Sequence, residues 1–357
     1  MSVNNTNISP SIQAKIGKNL HLQRYHPIEI IKHKIYEYFG PDYKTYDDLS
    51  PYVSVVDNFD KLLIPQYHPA RSRSDTYYLD DNTVLRTHTS AHQNMILSQG
   101  ITKFLITGDV YRKDEIDSHH YPVFHQMEGV CILEEGQDAS SELQKILTGL
   151  VEHLFPGCKY RFNPDYFPFT NPSYEVEVEF RGKWLEILGC GVVQPAILAN
   201  CDMTGKTAWA FGLGLERLAM VLFEIPDIRL FWTTDEAFLQ QFTSYDIVKF
   251  KPYPKLAPLT KDVSFWVSTD IDPEHKWVRE NDFYELCREI GLDMIEKVEL
   301  FDKFYHSKKQ AYSRSYHIIY SSPDLTLANP GEFTSMVNSL HLKIADAIGK
   351  QLNVVIR

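Results

Sequence analysis

The sequence predicts an α+β chain of two domains, on three observations. At 357 residues it is too long for one typical core. Two apolar runs, Phe104-Leu105-Ile106 and Val130-Cys131-Ile132-Leu133, flank the polar stretch GDVYRKDEIDSHHYPVFHQMEG, which reads as strand, charged loop, strand. Beyond a lysine- and proline-rich stretch, the pattern becomes strand, helix, strand, strand, helix, strand, a split βαβ arrangement.

In chain order, residues 1–24 read as a polar arm with a short helix near Ile12–Leu20. Pro27 to Phe39 has helical spacing at Ile28, Ile31, Ile35, Tyr38 and Phe39, with Pro in the first turn and Gly40-Pro41 as the stop. Residues 51–57 read as a strand. Residues 58–83 are irregular and carry Arg71 and Arg73, either a solvated loop or an anion contact. Residues 83–93 run from a short strand into a helix that Thr89 or Ser90 could cap and that ends at Gly100. After the hairpin a helix spans about Ser140 to Leu154. In Tyr166–Ser173, two phenylalanines flank Pro168, which excludes a regular strand face there. Tyr174–Phe180 alternates strictly and presents Glu175, Glu177 and Glu179 on one face, read as solvated. Trp184–Leu188 is a further strand. Residues 207–225 pass from strand to helix through Gly212 and Gly214. Residues 246–261 form the linker. The terminal elements are strand 263–267, helix 281–290, strands 292–301 and 312–320, helix 331–348 and strand 352–356. The division is an N-terminal extension 1–24, a first domain 25–245, the linker 246–261 and a terminal domain 262–357.

Composition narrows the function classes. Hydrophobic content of 43% and charged content of 23% are ordinary for a globular protein. No apolar run approaches the roughly 20 residues that span a membrane. The five cysteines form no CxxC pair, which speaks against a disulfide framework or a zinc ribbon. The net charge of −11 stands against a nucleic-acid partner, which usually wants a basic footprint. Residues 259–357 carry 12 Lys/Arg and 15 Asp/Glu, so the terminal domain is no exception.

The hairpin is over-long, since connections of about two to five residues suffice. It holds groups that grip phosphate, stack on a base or titrate. Arg112 lies in it, and Arg217 opens an apolar helix, where an unpaired guanidinium is costly to bury. An Arg fork donates two parallel hydrogen bonds to phosphate and keeps its charge, so two separated arginines suit two phosphates of one triphosphate. Phe124 offers a flat face for adenine. Glu128 and Glu186 lie on strands, and a carboxylate can hold magnesium bridging phosphates. No nucleophile with an aligned base is evident. That fits in-line attack by the substrate's own carboxylate, catalysed by positioning and charge. His88 and His92 are four apart, but the Glu of a zinc HExxH site is missing; FGLGLERLAM lacks the third Gly of a dinucleotide fingerprint.

These strings carry a resemblance. YRKDEIDSHHYPVFHQMEG is similar to motif 2 of class II aminoacyl-tRNA synthetases, and FGLGLERLAM to motif 3. RTHTSAHQ, YPVFHQMEG, YFPFTNPS and WLEILGCGVV resemble the phenylalanyl-tRNA synthetases, and the split βαβ terminus their monomeric mitochondrial form, from about Lys18 to Arg357. The resemblance implies an antiparallel-sheet catalytic domain and a ferredoxin-like anticodon-binding domain. It implies substrates ATP, L-phenylalanine and tRNA(Phe), Mg2+ as cofactor, a monomer in the mitochondrial matrix, and transfer to the 2′-hydroxyl of the terminal ribose. Arg112 and Arg217 would be catalytic, on the α- and γ-phosphates. His120 would contact the outer phosphates, Phe124 would stack on adenine, and Asp114 stands where the class usually has Glu. Glu186 would hold the metal. His88, Ser90, Gln93, Gln126 and Glu128 would fix the amino acid's polar end, with Phe167, Phe169, Ala210 and Gly212 around its ring. Lys303, Lys308, Lys309 and Arg314, with His306 among them, would meet tRNA. Alternatives are a non-catalytic tRNA-binding relative, or a ligase of the same fold for another amino acid.

Overall fold

The computed structural model describes residues 6–253, 256–274, 276–323 and 329–357, so part of the expected linker lies outside the described residues. The elements are α1 (Pro10–Gln13), α2 (Pro27–Phe39), β1 (Lys44–Tyr46), β2 (Tyr52–Ser54), α3 (Val55–Asn58), β3 (Thr83–Leu85), α4 (Gln93–Leu97), β4 (Lys103–Tyr111), β5 (Val123–Ile132) and α5 (Ala139–Leu154). Then come β6 (Lys159–Phe167), β7 (Thr170–Phe180), β8 (Lys183–Val193), α6 (Pro195–Ala199), β9 (Ala208–Gly214), α7 (Leu215–Phe223) and α8 (Glu236–Leu239). The chain ends with β10 (Leu259–Val267), α9 (Glu280–Gly291), β11 (Ile295–His306), β12 (Ala311–Tyr320), α10 (Pro330–Gln351) and β13 (Val355–Ile356).

A seven-stranded sheet, ordered β1-β4-β5-β9-β8-β7-β6, is antiparallel except for the β1–β4 pair. Helices α2, α5 and α7 share one apolar cluster with it. Helix α2 begins at Pro27, takes a cap from the His26 ring to the Ile28 amide, and ends at Gly40 with φ 67°. Its Ile28, Ile31 and Ile35 are fully buried, each contributing about 1.5–3 kcal/mol of transfer free energy. The terminal elements build a second sheet, β11-β12-β10-β13, with its own core against α9 and α10. This is the split βαβ order expected from the sequence.

Several local expectations change. The helix near Ile12–Leu20 is only the four-residue α1 plus a 3-10 turn at Leu20–Leu22, because Gly17 (φ 80°) and Asn19 (φ 47°) turn left-handed between them. The arm is packed rather than loose: Ile12 is buried, Ser9 Oγ donates to Glu285 at 3.2 Å, and Lys15 meets Asp293 at 3.4 Å. The strand at 51–57 stops at Ser54, whose hydroxyl caps α3. Residues 292–294 form a 3-10 turn before β11. Strand β6 had no sequence signal, since its burial does not alternate.

Candidate active site

Period-two alternation aims the site. Along β5, Phe124, Gln126 and Glu128 share one face. The register sets Gln126 opposite Gly214 and Glu128 opposite Gly212 on β9, and Gly212 in turn opposite Gly189 on β8. A strip of glycine therefore floors a cavity of about 560 Å³ beside Glu128. A Cβ at Gly212 would meet nothing within 4 Å among the described residues, whereas one at Gly189 would come within 2.9 Å of the Phe167 ring. Lining residues include His88, Ser90, Gln93, Arg112, Asp114, His120, Phe124, Gln126, Glu128, Phe167, Phe169, Glu186, Ala210, Gly212 and Arg217. Every residue expected to touch ATP or the amino acid thus lines one cavity.

At one end the walls are polar and unsatisfied. Glu128 is 2% exposed, and neither carboxylate oxygen has a hydrogen-bond partner among the described residues. Burial pushes its carboxyl up to about 8; the Ser90 and Thr89 hydroxyls lie near enough to favour the charged form but not in hydrogen-bonding geometry. Both ring nitrogens of His88 and the Gln93 amide nitrogen are likewise unpartnered. Burial, with Arg112 nearby, lowers the His88 pKa to about 3, so its ring is neutral. Buried polar groups normally find partners; this concentration of orphans fits a ligand with both an ammonium and a carboxylate. The adjoining wall is apolar: Phe167 and Phe169 lie parallel with centroids 5.7 Å apart, beside Ala210. Pro168 falls in the tight connection between β6 and β7, which is how two rings one residue apart come to face the same space.

At the other end the groups are cationic. Arg112 donates from Nε to the Thr87 carbonyl at 2.7 Å, and its guanidinium lies 5.3 Å from the Phe124 centroid. Arg217 is exposed and meets Glu186 at 3.0 Å. His120 Nδ1 lies 2.9 Å from Asp117, and that bond raises the ring's pKa. Glu175, read from sequence as solvated, lines the cavity; burial and then Glu186 raise its pKa. Glu175 and Glu186 together are a hard-oxygen donor set that suits magnesium. Beneath the hairpin, Arg86 and Asp109 pair at 2.9 Å, both buried.

The hairpin loop is pinned by the terminal domain. Ile116 is buried in that domain's core, and its carbonyl accepts from Val298 N at 2.9 Å. Arg288 donates to the carbonyls of Asp114 and Glu115, and Tyr121 Oη to Asp293 at 2.5 Å. In the terminal domain itself, Lys303, Lys308 and Lys309 are exposed, with Lys309 lying 4.5 Å over Trp266. Arg314 corrects the expectation. It is 2% exposed, pairs with Glu280 at 2.9 Å and donates to Tyr316 Oη, so it belongs to the core and not to that surface.

The comparisons with known proteins agree with this geometry. Residues 10–242 match the model described as tRNA synthetases class II core domain (F), and residues 254–357 the ferredoxin-fold anticodon binding domain. The chain is 48% identical to the chloroplastic/mitochondrial phenylalanine–tRNA ligase of Arabidopsis thaliana, over 98% of this chain and 82% of that protein. The chain belongs to the phenylalanine–tRNA ligase family. The mitochondrial member from Mus musculus is 42% identical over 98% of this chain and 85% of its own, and that from Saccharomyces cerevisiae 35% over 99% and 92%. Both sheets are those of the family's two modules. Sequence reading missed Glu175 and, more consequentially, the buried His125–Glu216 pair at 2.7 Å. An acidic residue on the apolar side of α7 was the only signal for the latter.

Proposed function

We propose that this chain is a mitochondrial phenylalanine–tRNA ligase: it activates L-phenylalanine with ATP and passes it to the terminal ribose of tRNA(Phe). The observation that carries this is the divided cavity, with unpartnered Glu128, His88 and Gln93 at one end beside the Phe167–Phe169 wall, and two arginines at the other. Glu128 receives the ammonium; His88, Ser90, Gln93 and Gln126 hold the carboxylate; the phenyl ring lies over Gly212 and Ala210. Phe124 stacks on adenine, with Arg112, whose guanidinium lies over the Phe124 ring, reaching the α-phosphate as the carboxylate attacks in line. Arg217 leaves Glu186 for the γ-phosphate. His120, whose pKa is raised by its hydrogen bond to Asp117, meets the outer phosphates, and Asp114 lines the same end. Glu186 and Glu175 would hold a magnesium ion, whose chemistry there would be charge neutralisation on the triphosphate. The protein's part is positioning and electrostatic stabilisation.

The chain works as a monomer, with catalytic residues 25–245 and a terminal domain at 262–357 that holds tRNA through Lys303, Lys308 and Lys309. The test is pyrophosphate exchange across a panel of amino acids. Exchange with phenylalanine, and weakly with tyrosine, is expected; exchange with another amino acid and none with phenylalanine overturns the substrate assignment. Tyrosine should leak through because an apolar pocket rejects one added hydroxyl by only about a hundredfold.

A further inference from the structure

Glu216 and Arg217 are neighbours in the first turn of α7 and both border the cavity, yet they reach for different partners. Arg217 is exposed at the cavity. Glu216 is 2% exposed and its carboxylate faces β5. There it accepts both donors of a single residue: the His125 backbone N–H at 2.8 Å on Oε2 and the His125 Nδ1–H at 2.7 Å on Oε1. His125 is the link between Phe124 and Gln126, whose side chains enter the cavity from the strand's other face. Its ring is fully buried, 5.9 Å from the Trp232 ring and 5.1 Å from His21.

A carboxylate in the first turn of a helix ordinarily favours that helix's own free amides. The N-cap of α7 is Gly214, which supplies no side-chain cap, and still Glu216 turns away to grip the neighbouring strand. Two bonds from one planar group fix both the separation and the tilt of the partner, where one bond would leave a rotation free. Catalytic constellations need such support, because small misplacements cost large factors in rate.

We infer that Glu216 is a positioning residue for ATP: by clasping His125 it sets the distance across the cleft between Phe124, which takes the base, and Arg217, which takes the far phosphate. This rests on the ATP assignment above. Glu128, further along β5, lies outside the clasp, so of phenylalanine's ligands only Gln126 adjoins it, and ATP is the substrate affected most.

The full chain carrying Glu216→Gln keeps the volume but offers one acceptor oxygen instead of two. In phenylalanine-dependent pyrophosphate exchange, kcat/KM for ATP should fall about tenfold or more. Phenylalanine affinity, measured by calorimetry without ATP, should fall clearly less, by about threefold at most, because only Gln126 among its ligands adjoins the clasp. His125→Asn restores a side-chain donor at the Nδ1 position and should stay within about threefold of the parent. If Glu216→Gln does not fold, His125→Ala, which leaves the backbone bond alone, should show the same tenfold loss. An unchanged kcat/KM for ATP in the variant that folds, or phenylalanine affinity falling in step with it, overturns the inference. Calorimetric ATP binding to parent and variant separates the two claims. A parent that binds ATP but exchanges no phenylalanine defeats the substrate assignment, while the ratio of ATP affinities still decides the role of Glu216.

Discussion

Glu128 and Glu216 are equally buried, each 2% exposed, and are opposite in every other respect. Glu216 has both oxygens filled by His125. Glu128 has neither oxygen filled by any described residue, and burial holds its carboxyl near 8. Leaving a buried polar group unmade costs about 1–3 kcal/mol. A satisfied buried carboxylate braces a wall; an unsatisfied one at the wall of a cavity awaits a charge brought by a ligand. On the proposed reading the two residues divide the work of the site, one receiving substrate and the other holding the frame.

The sharpest way to break this contrast is Glu128→Gln. It should raise KM for phenylalanine by about a hundredfold, the cost of losing a buried charge partner, while the melting temperature holds or rises. Glu216→Gln should do the reverse, lowering Tm and largely sparing phenylalanine affinity; a drop in Tm for Glu128→Gln, or none for Glu216→Gln, would erase the distinction. The pH dependence comes next. Glu128 has a pKa near 8 folded against 4.5 unfolded. Between those values the unfolded state has lost the proton and the native state keeps it, so this group makes stability fall as pH rises from 4.5 to 8, and adds no further slope above. Denaturant melts across that window should flatten in Glu128→Gln. Phenylalanine's ammonium should drive the same proton off, so calorimetry at pH 7 in two buffers of different ionisation enthalpy should show release of up to about one proton; equal heats would mean Glu128 is already ionised. The smallest effect belongs to the apolar end. Ala210→Gly should admit para-substituted phenylalanines by about tenfold in kcat/KM, and unchanged selectivity would mean that Ala210 does not face the ring.

Legibility in the sequence followed the range of the interaction. The sequence places Phe124 and Gln126 in the charged loop and ties them to Glu128 only through the motif it resembles; β5, which begins at Val123, is what sets all three on one face. Phe167 and Phe169 could be paired because a proline between them forbids a regular face. The His125–Glu216 clasp joins residues 91 apart, and its one local sign, an acidic residue on the apolar side of α7, does not name the partner. Glu175 sat in an alternating Glu pattern that reads as solvent; only the neighbouring β8 shows that it borders the cavity. Arg314 misled for the converse reason. It lies in a basic stretch, but the pleat turns it toward Glu280, and a sequence does not display which side of a terminal sheet its helices cover. The fold of the terminal domain was legible because each of its elements has a clean period of its own.

Ile116 has a temporal consequence. The loop proposed to grip ATP is anchored in a core built from residues 263–354, which are synthesised after it. A nascent or prematurely ended chain would hold Arg112 and Phe124 but lack the pocket for Ile116 and the Arg288 donors to Asp114 and Glu115. Its adenylate-forming site would stay unfinished until the tRNA-facing end had folded. A chain ending before residue 259 should therefore exchange pyrophosphate more slowly than the full chain, and equal rates would show that the Ile116 anchor is dispensable.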